Sequence, residues 1–170
     1  MKPSHILRAV LLGGTVVSTI GCDQATKHIA RTHLAGATPL AFLGGSVRIA
    51  LTQNEGGFLS IGSSLPPELR AAVFLLGVAG ALVFAAVYLT RAAKLRFTGL
   101  LCAWLIRAGG FSNLLDRALF DGRVTDFMIV GLGPVRTGVF NVADVAIVAG
   151  GVFLAVSAWR CTSHECRVSA

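Results

Sequence analysis

Hydrophobic residues are concentrated in four long runs, and most of the charged residues lie between them. The runs are residues 6–22, 69–90, 97–115 and 139–159. A helix needs roughly 20 mainly apolar residues to cross a bilayer, and Arg8 can lengthen the first run by reaching toward the headgroups. Pro66, Pro67 and Glu68 are typical of a helix start before the second run. We therefore predict four transmembrane helices within one integral membrane domain, residues 1–170.

The polar segment of residues 28–65 has a different period. Val47, Ile49 and Leu51 recur at every second position, which predicts a β-strand. We expect a small antiparallel sheet on the outer face of the membrane, with Asn54 at its edge. The predicted fold class is an all-α membrane protein with four transmembrane helices and a small outer, periplasmic-side β-element.

Composition supports a membrane protein, since 54% of the residues are hydrophobic, 14% are charged and the mean hydropathy is +0.74. The net charge is +7, from 15 Lys and Arg against 8 Asp and Glu. The basic residues lie mostly at the ends of the apolar runs, where they contact lipid headgroups. We therefore predict membrane lipids, and no nucleic acid, as partners.

The distribution of the basic residues predicts an orientation. Arg91, Lys94 and Arg96 crowd the short loop between the second and third runs, and Lys2 and Arg8 flank the first. The positive-inside rule places these residues in the cytoplasm. Both termini of the multi-pass chain are then cytoplasmic.

With this orientation, the polar chemistry collects at the outer face. Asn141 and Asp144 lie three residues apart and project from one side of a helix. Asp144 is either a functional group at membrane depth, where ionisable side chains are costly, or a carboxylate in the wet interfacial zone. Asp126 is either functional or a loop carboxylate that faces water. The polar residues at this face are Asp23, Lys27, Asn54, Asn113, Asp116, Arg117, Asp126, Asn141 and Asp144.

Two neighbouring carboxylates can share one proton, which provides an acid and a base at the same pH. Such a pair can activate water against a peptide carbonyl without a metal or cofactor. The sequence contains no H-E-x-x-H or G-x-S-x-G motif. Among proteolytic mechanisms, an aspartyl hydrolase therefore remains.

Five short motifs, in order along the chain, give the sequence a family resemblance. It resembles the lipoprotein signal peptidase (signal peptidase II) family of bacterial membrane aspartyl proteases. The motifs are D-Q-A-T-K at Asp23–Lys27, N-E-G-G-F at Asn54–Phe58, G-G-F-S-N-L-L-D-R at Gly109–Arg117, V-T-D-F at Val124–Phe127 and F-N-V-A-D at Phe140–Asp144.

The resemblance implies a function and a set of site residues. It implies an enzyme of the bacterial inner membrane that removes signal peptides from prolipoproteins, cleaving before a diacylglyceryl-modified cysteine, with no cofactor and no metal. It implies that Asp126 and Asp144 are the catalytic pair. The supporting residues that it implies are Asp23, Lys27, Asn54, Gly56, Asn113, Arg117 and Asn141.

Several of these roles stay open at this point. Asn54 and Asn141 can donate to a developing oxyanion or orient the aspartates. Arg117 can hold substrate carbonyls or pair with its neighbour Asp116. Asp23 and Lys27, four residues apart, can contact substrate or form a salt bridge that fixes the end of the first helix.

The chain departs from the family pattern at three positions. Ser112 stands where the family usually has Gly, Glu55 adds a charge to the second motif, and Arg107 interrupts the third apolar run. These departures bear on substrate preference and on helix packing. Arg107 is expected to face another helix or a lipid headgroup.

Three features of the sequence allow a second interpretation. The first run ends in T-I-G-C at Cys22, as a lipoprotein signal does, but three further runs favour a permanent membrane helix. Cys161, His164 and Cys166 form either a soft-metal site or a solvated tail. A proton-coupled carrier using Asp126 and Asp144 is disfavoured, because carriers usually have more spans or internal repeats.

Overall fold

The protein is described by a computed structural model that covers residues 5–56, 64–80, 82–83 and 97–168. Four α-helices have both ends within these ranges: α1 (His5–His33), α2 (Pro67–Ala71), α3 (Phe97–Leu119) and α4 (Val142–Val168). Residues 77–80 and 82–83 are also α-helical. Pro66 precedes α2 and Glu68 lies in its first turn, which confirms the predicted helix start. A π-helical stretch, Ala72–Leu76, continues α2.

The helices extend beyond the predicted runs. α1 continues from the expected end at Cys22 to His33, so that residues 28–33, predicted as outer segment, are helical. Within the described residues, α1 is the one helix with the length and apolar character to cross a bilayer, and the apolar part of α4 is the shorter stretch Val142–Ser157. The second predicted run, residues 69–90, lies partly outside the described residues.

The expected antiparallel sheet is confirmed, but it has four strands. These are β1 (Leu40–Phe42), β2 (Val47–Asn54), β3 (Val124–Leu132) and β4 (Val135–Arg136). They lie side by side in the order β1-β2-β3-β4. The alternative that Asp126 is a loop carboxylate facing water is wrong, because this residue is buried in β3 and pairs with Thr52. All residues from Val124 to Phe127 are buried, so the strand lacks the polar–apolar alternation by which β2 was recognised.

α3 packs closely against α4, and the start of α4 is hydrogen-bonded to the sheet. A Cβ atom on Gly109 would lie 2.5 Å from the carbonyl oxygen of Ala143, and one on Gly150 would lie 2.8 Å from that of Cys102. The two helices therefore approach closely through small residues, as membrane helices commonly do. Just before α4, Phe140 exchanges backbone hydrogen bonds of 2.9 Å with Met128 of β3. This bridge fixes the start of α4 beside β3.

Candidate active site

Asp126 lies on β3 and is held by two amide side chains. Asn54 Nδ2, at the end of β2, donates to Asp126 Oδ2 at 2.8 Å, and Asn141 Nδ2 donates to Asp126 Oδ1 at 2.7 Å. Asn54 pairs with Val124 in the sheet, two residues from Asp126 on the same face. The carboxylate is 1% exposed, and its two oxygens are fixed from opposite sides.

Asp144 is held by the reciprocal hydrogen bonds that begin α4. Asn141 Oδ1 accepts from the backbone N–H of Asp144 at 2.9 Å, and Asp144 Oδ2 accepts from the backbone N–H of Asn141 at 3.2 Å. This is a capping box with Asn and Asp in its two positions. Asn141 and Asp144, predicted at positions i and i+3, therefore cap the start of α4. Asn141 also connects Asp144 to Asp126, since it binds both.

Asn113 of α3 connects this pair to a buried cation. Its Nδ2 donates to Asp144 Oδ1 at 2.9 Å, while its Oδ1 accepts from Lys27 Nζ at 2.8 Å and from Asn141 Nδ2 at 3.1 Å. An ammonium group can only donate, so the oxygen of the Asn113 amide must face Lys27. The NH₂ group of the same amide then points toward Asp144.

Beneath the aspartates lies a fully buried ionic cluster of Lys27, Asp23 and Asp116. Lys27 Nζ is 2.7 Å from Asp23 Oδ2 and 3.3 Å from Asp116 Oδ2. Each carboxylate also binds a backbone N–H next to one aspartate of the pair: Asp23 accepts from Ala143 and Asp116 from Thr125, at 2.8 and 2.9 Å. The cluster therefore fixes α4 beside Asp144 and β3 beside Asp126.

Arg117 lies against the cleft through its guanidinium group. Its Nη2 donates to the backbone carbonyl of Gly56 at 2.6 Å, and its Nη1 is 3.5 Å from that of Asn113. Asp116 pairs instead with Lys27 and, at 3.9 Å, with Arg31. Arg117 Nε is buried and has no hydrogen-bond partner within the described structure.

Both aspartates line a cleft of about 370 Å³. Asn54, Asn113 and Arg117 contribute its polar wall. The remaining wall is apolar and comes from Phe74, Val78, Gly110, Val124, Ile147 and Val148. The cleft therefore suits a largely apolar ligand with one reactive polar group.

Burial raises the pKa of the Asp126 carboxyl from its usual 3.8 to about 6. The hydrogen bond from Asn54 opposes this rise, and the negative charge of Asp144 adds to it. A carboxyl with a pKa near 6 exchanges its proton close to neutral pH, which suits acid–base chemistry. Within the described residues, no group of three or more His, Cys, Asp or Glu side chains is arranged to hold a metal ion.

The structure brings all the site residues predicted from the sequence to one place. Sequence reasoning missed the contributions of Gln24 and Thr125. Gln24 Nε2 donates to Asp116 Oδ1 at 2.9 Å and to Ser112 Oγ at 3.0 Å, and Ser112 Oγ donates to Asp23 Oδ2 at 2.8 Å. The signal for Gln24 was its place in D-Q-A-T-K. The side chains of Cys161, His164 and Cys166 lie outside the described residues.

Comparison with solved structures defines the class of fold. The chain is similar to a bacterial membrane enzyme, with a TM-score of 0.78, 21% identity and coverage of 91% of each chain. A second structure of a bacterial membrane enzyme matches with a TM-score of 0.73 and 21% identity, over 86% of this chain and 91% of the other. The fold is therefore that of a bacterial membrane enzyme.

Sequence comparison defines the family. The sequence profile of signal peptidase (SPase) II matches residues 15–160. A protein named lipoprotein signal peptidase from Solibacter usitatus is 28% identical over 156 residues, which cover 92% of this chain and 94% of that protein. A protein of the same name from Hydrogenovibrio crunogenus is 34% identical over 146 residues, which cover 84% of this chain and 82% of that protein. The chain belongs to the signal peptidase II family, which confirms the resemblance inferred from the motifs.

Proposed function

We propose that this protein is a membrane aspartyl endopeptidase that removes signal peptides from prolipoproteins, cutting before the diacylglyceryl-modified cysteine. The observation that carries the proposal is the convergence of Asp126 and Asp144 on one cleft, where Asn141 binds both. Family membership supports the reaction class and the substrate. It leaves no support for a proton-coupled carrier.

The two aspartates provide the acid and the base of the reaction. The ionised carboxylate takes a proton from a water molecule, whose oxygen attacks the carbonyl carbon of the scissile bond. The protonated carboxyl donates to the carbonyl oxygen, giving a neutral tetrahedral intermediate. When the C–N bond breaks, the first carboxyl gives its proton to the departing amine of the cysteine. The second regains its proton as the product carboxyl forms.

The remaining polar residues position these groups. Asn54 and Asn141 orient Asp126, since the amide of each donates to its carboxylate. Arg117 lines the cleft and holds a substrate carbonyl through its guanidinium group. Asp23 and Lys27 form the salt bridge and have no exposed surface with which to meet a substrate. Their role is therefore to fix the segments that carry the two aspartates.

The proposed placement is a four-span protein of the bacterial inner membrane. The spans are residues 6–22, 69–90, 97–115 and 139–159, within the single domain 1–170, and the candidate site lies near the outer face. Both termini are cytoplasmic. The apolar wall of the cleft then faces lipid, and the diacylglyceryl group and the signal helix enter from the bilayer. Nucleic acid is not a proposed partner.

The decisive experiment is in vitro processing by the purified, membrane-reconstituted protein. A diacylglyceryl-modified prolipoprotein should shift on a gel, and mass spectrometry should place the cut immediately before the modified cysteine. The same precursor without the lipid is the matched control and should stay intact. Equal cleavage of both precursors, or a cut at another bond, would contradict the proposal.

A further inference from the structure

A second groove, of about 420 Å³, lies between α1, α3 and residues 82–83. Leu82 separates it from the candidate site, because this side chain packs on Gly110 of the first cleft. Val16, Ile20 and Phe111 belong to its apolar wall. Its one charged residue within the described structure is Arg107, whose guanidinium lies over the Trp104 ring, 4.4 Å from the centroid.

A half-buried arginine inside an apolar helix is costly unless its charge is compensated, and no ion pair of the described residues involves Arg107. The sequence contains eight Asp and Glu residues, so all of them can be located. Five are already engaged, in the buried cluster, the candidate site, or ion pairs of Glu55 with Arg70 and Arg123. Two more are exposed near the ends of α2 and α3. These seven are Asp23, Glu55, Glu68, Asp116, Asp121, Asp126 and Asp144.

The eighth acidic residue is too far away along α4. Gly150 packs against Ile106, the neighbour of Arg107. Glu165 follows Gly150 by 15 residues, which is about 22 Å along a helix. Within the described structure no carboxylate therefore reaches Arg107, which leaves its guanidinium group for an anion from outside that part of the chain.

We propose that Arg107 binds the phosphate of an anionic phospholipid whose acyl chain occupies the groove. Arg107 follows Phe97, the first residue of α3, by ten residues, or about 15 Å of helix. A soluble anion does not reach that depth, whereas a lipid phosphate is drawn in when the bilayer thins locally around an arginine. The guanidinium leans toward Trp104, so the headgroup approaches from the Phe97 end. The groove then selects lipids by charge and holds them by their chains.

The first test compares lipids on the unaltered protein. The full chain, freed of lipid in a non-ionic detergent, is titrated with phosphatidylglycerol or with phosphatidylcholine of the same chains. Bound lipid is counted by native mass spectrometry, and the thermal midpoint is recorded. We expect one phosphatidylglycerol to be retained preferentially and to raise the midpoint. Equal binding of the two lipids would overturn the proposal, as would displacement of the lipid by glycerol phosphate alone.

The second test uses substitutions. Arg107→Gln should weaken phosphatidylglycerol binding about tenfold or more, the effect of losing a charged hydrogen bond. Arg123→Gln, which removes an exposed charge, should leave binding unchanged. Val16→Trp, which fills the groove and keeps Arg107, should also weaken phosphatidylglycerol binding. This variant tests the site if Arg107→Gln does not fold. Wild-type affinity in folded Arg107→Gln, or in Val16→Trp, would rule out the site.

Discussion

The side-chain amide of Asn141 donates a hydrogen bond of 2.7 Å to Oδ1 of Asp126, on a different element of the fold. Its other end accepts the backbone N–H of Asp144 at 2.9 Å and thereby caps α4. Asn141 therefore has two tasks, orienting Asp126 and starting a helix. Because serine caps helices nearly as well as asparagine but cannot reach as far, the two tasks can be separated by mutation.

We expect Asn141→Ser to keep the helix cap, and so to be more stable than Asn141→Ala, but to lower kcat about 10–100-fold, because a misplaced catalytic group is costly. Asn141→Ala should lose the same activity and also about 1 kcal/mol of stability, because the cap is gone. Steady-state cleavage and thermal unfolding measure the two effects. Full activity of Asn141→Ser would show that the bond to Asp126 is not needed.

Asp126→Asn and Asp144→Asn should each abolish detectable cleavage, because general acid–base catalysis alone contributes about 10²–10⁴-fold. The matched control is Asp121→Asn. Asp121 is exposed and has a positive φ of 51°, a conformation that asparagine tolerates. This control should cleave at the wild-type rate, and all three variants should elute as folded protein. Near-normal cleavage by either of the first two would remove that aspartate from the catalytic pair.

Lys27→Met should destabilise the protein by about 3–5 kcal/mol, because it removes the cation nearest to two buried carboxylates. These are Asp23 and Asp116, and both are fully buried. Adding Asp23→Asn to Lys27→Met should recover part of the loss, since one unpaired charge is then removed. Thermal unfolding of the single and double variants gives the comparison. A stable single variant would mean that the cluster does not support the site.

Cleavage should survive strong chelators, because the proposed mechanism uses two carboxylates and water. The tail is the candidate metal site that the sequence suggests. Truncation after Arg160, which removes Cys161, His164 and Cys166, should likewise leave the rate unchanged. Loss of activity in chelator, restored by added zinc, would contradict the aspartyl mechanism, and loss on truncation would assign the tail a role.

Local sequence signals predicted the start of α2 and the strand β2 better than the surroundings of Asp126. β2 shows a period of two, and α2 begins with Pro66, Pro67 and Glu68, so local signals were sufficient. The segment around Asp126 has no such signal, since polar and apolar residues alike are buried there. Its strand pairing depends on contacts with Thr52 and Asn54, which are more than 70 residues away.

The same limit explains the buried cluster. The spacing of Asp23 and Lys27 suggested a salt bridge, which the structure contains. Nothing local shows that Asp116 would complete the cluster rather than pair with its neighbour Arg117. That choice depends on which side of α3 faces α1 and β3, and so on tertiary packing.

The last prediction concerns the proton that the two aspartates share. Burial raises the pKa of Asp126 to about 6, so the proton is retained below pH 6 and lost as the pH rises through that value. The profile of kcat/KM should therefore be bell-shaped, with an alkaline limb that falls about tenfold per pH unit and an acid limb where the base becomes protonated. Cleavage rates from pH 4 to 9, with roughly constant ionic strength, test this. Asp121→Asn should give the same curve, whereas a flat profile for the wild type would exclude a shared proton.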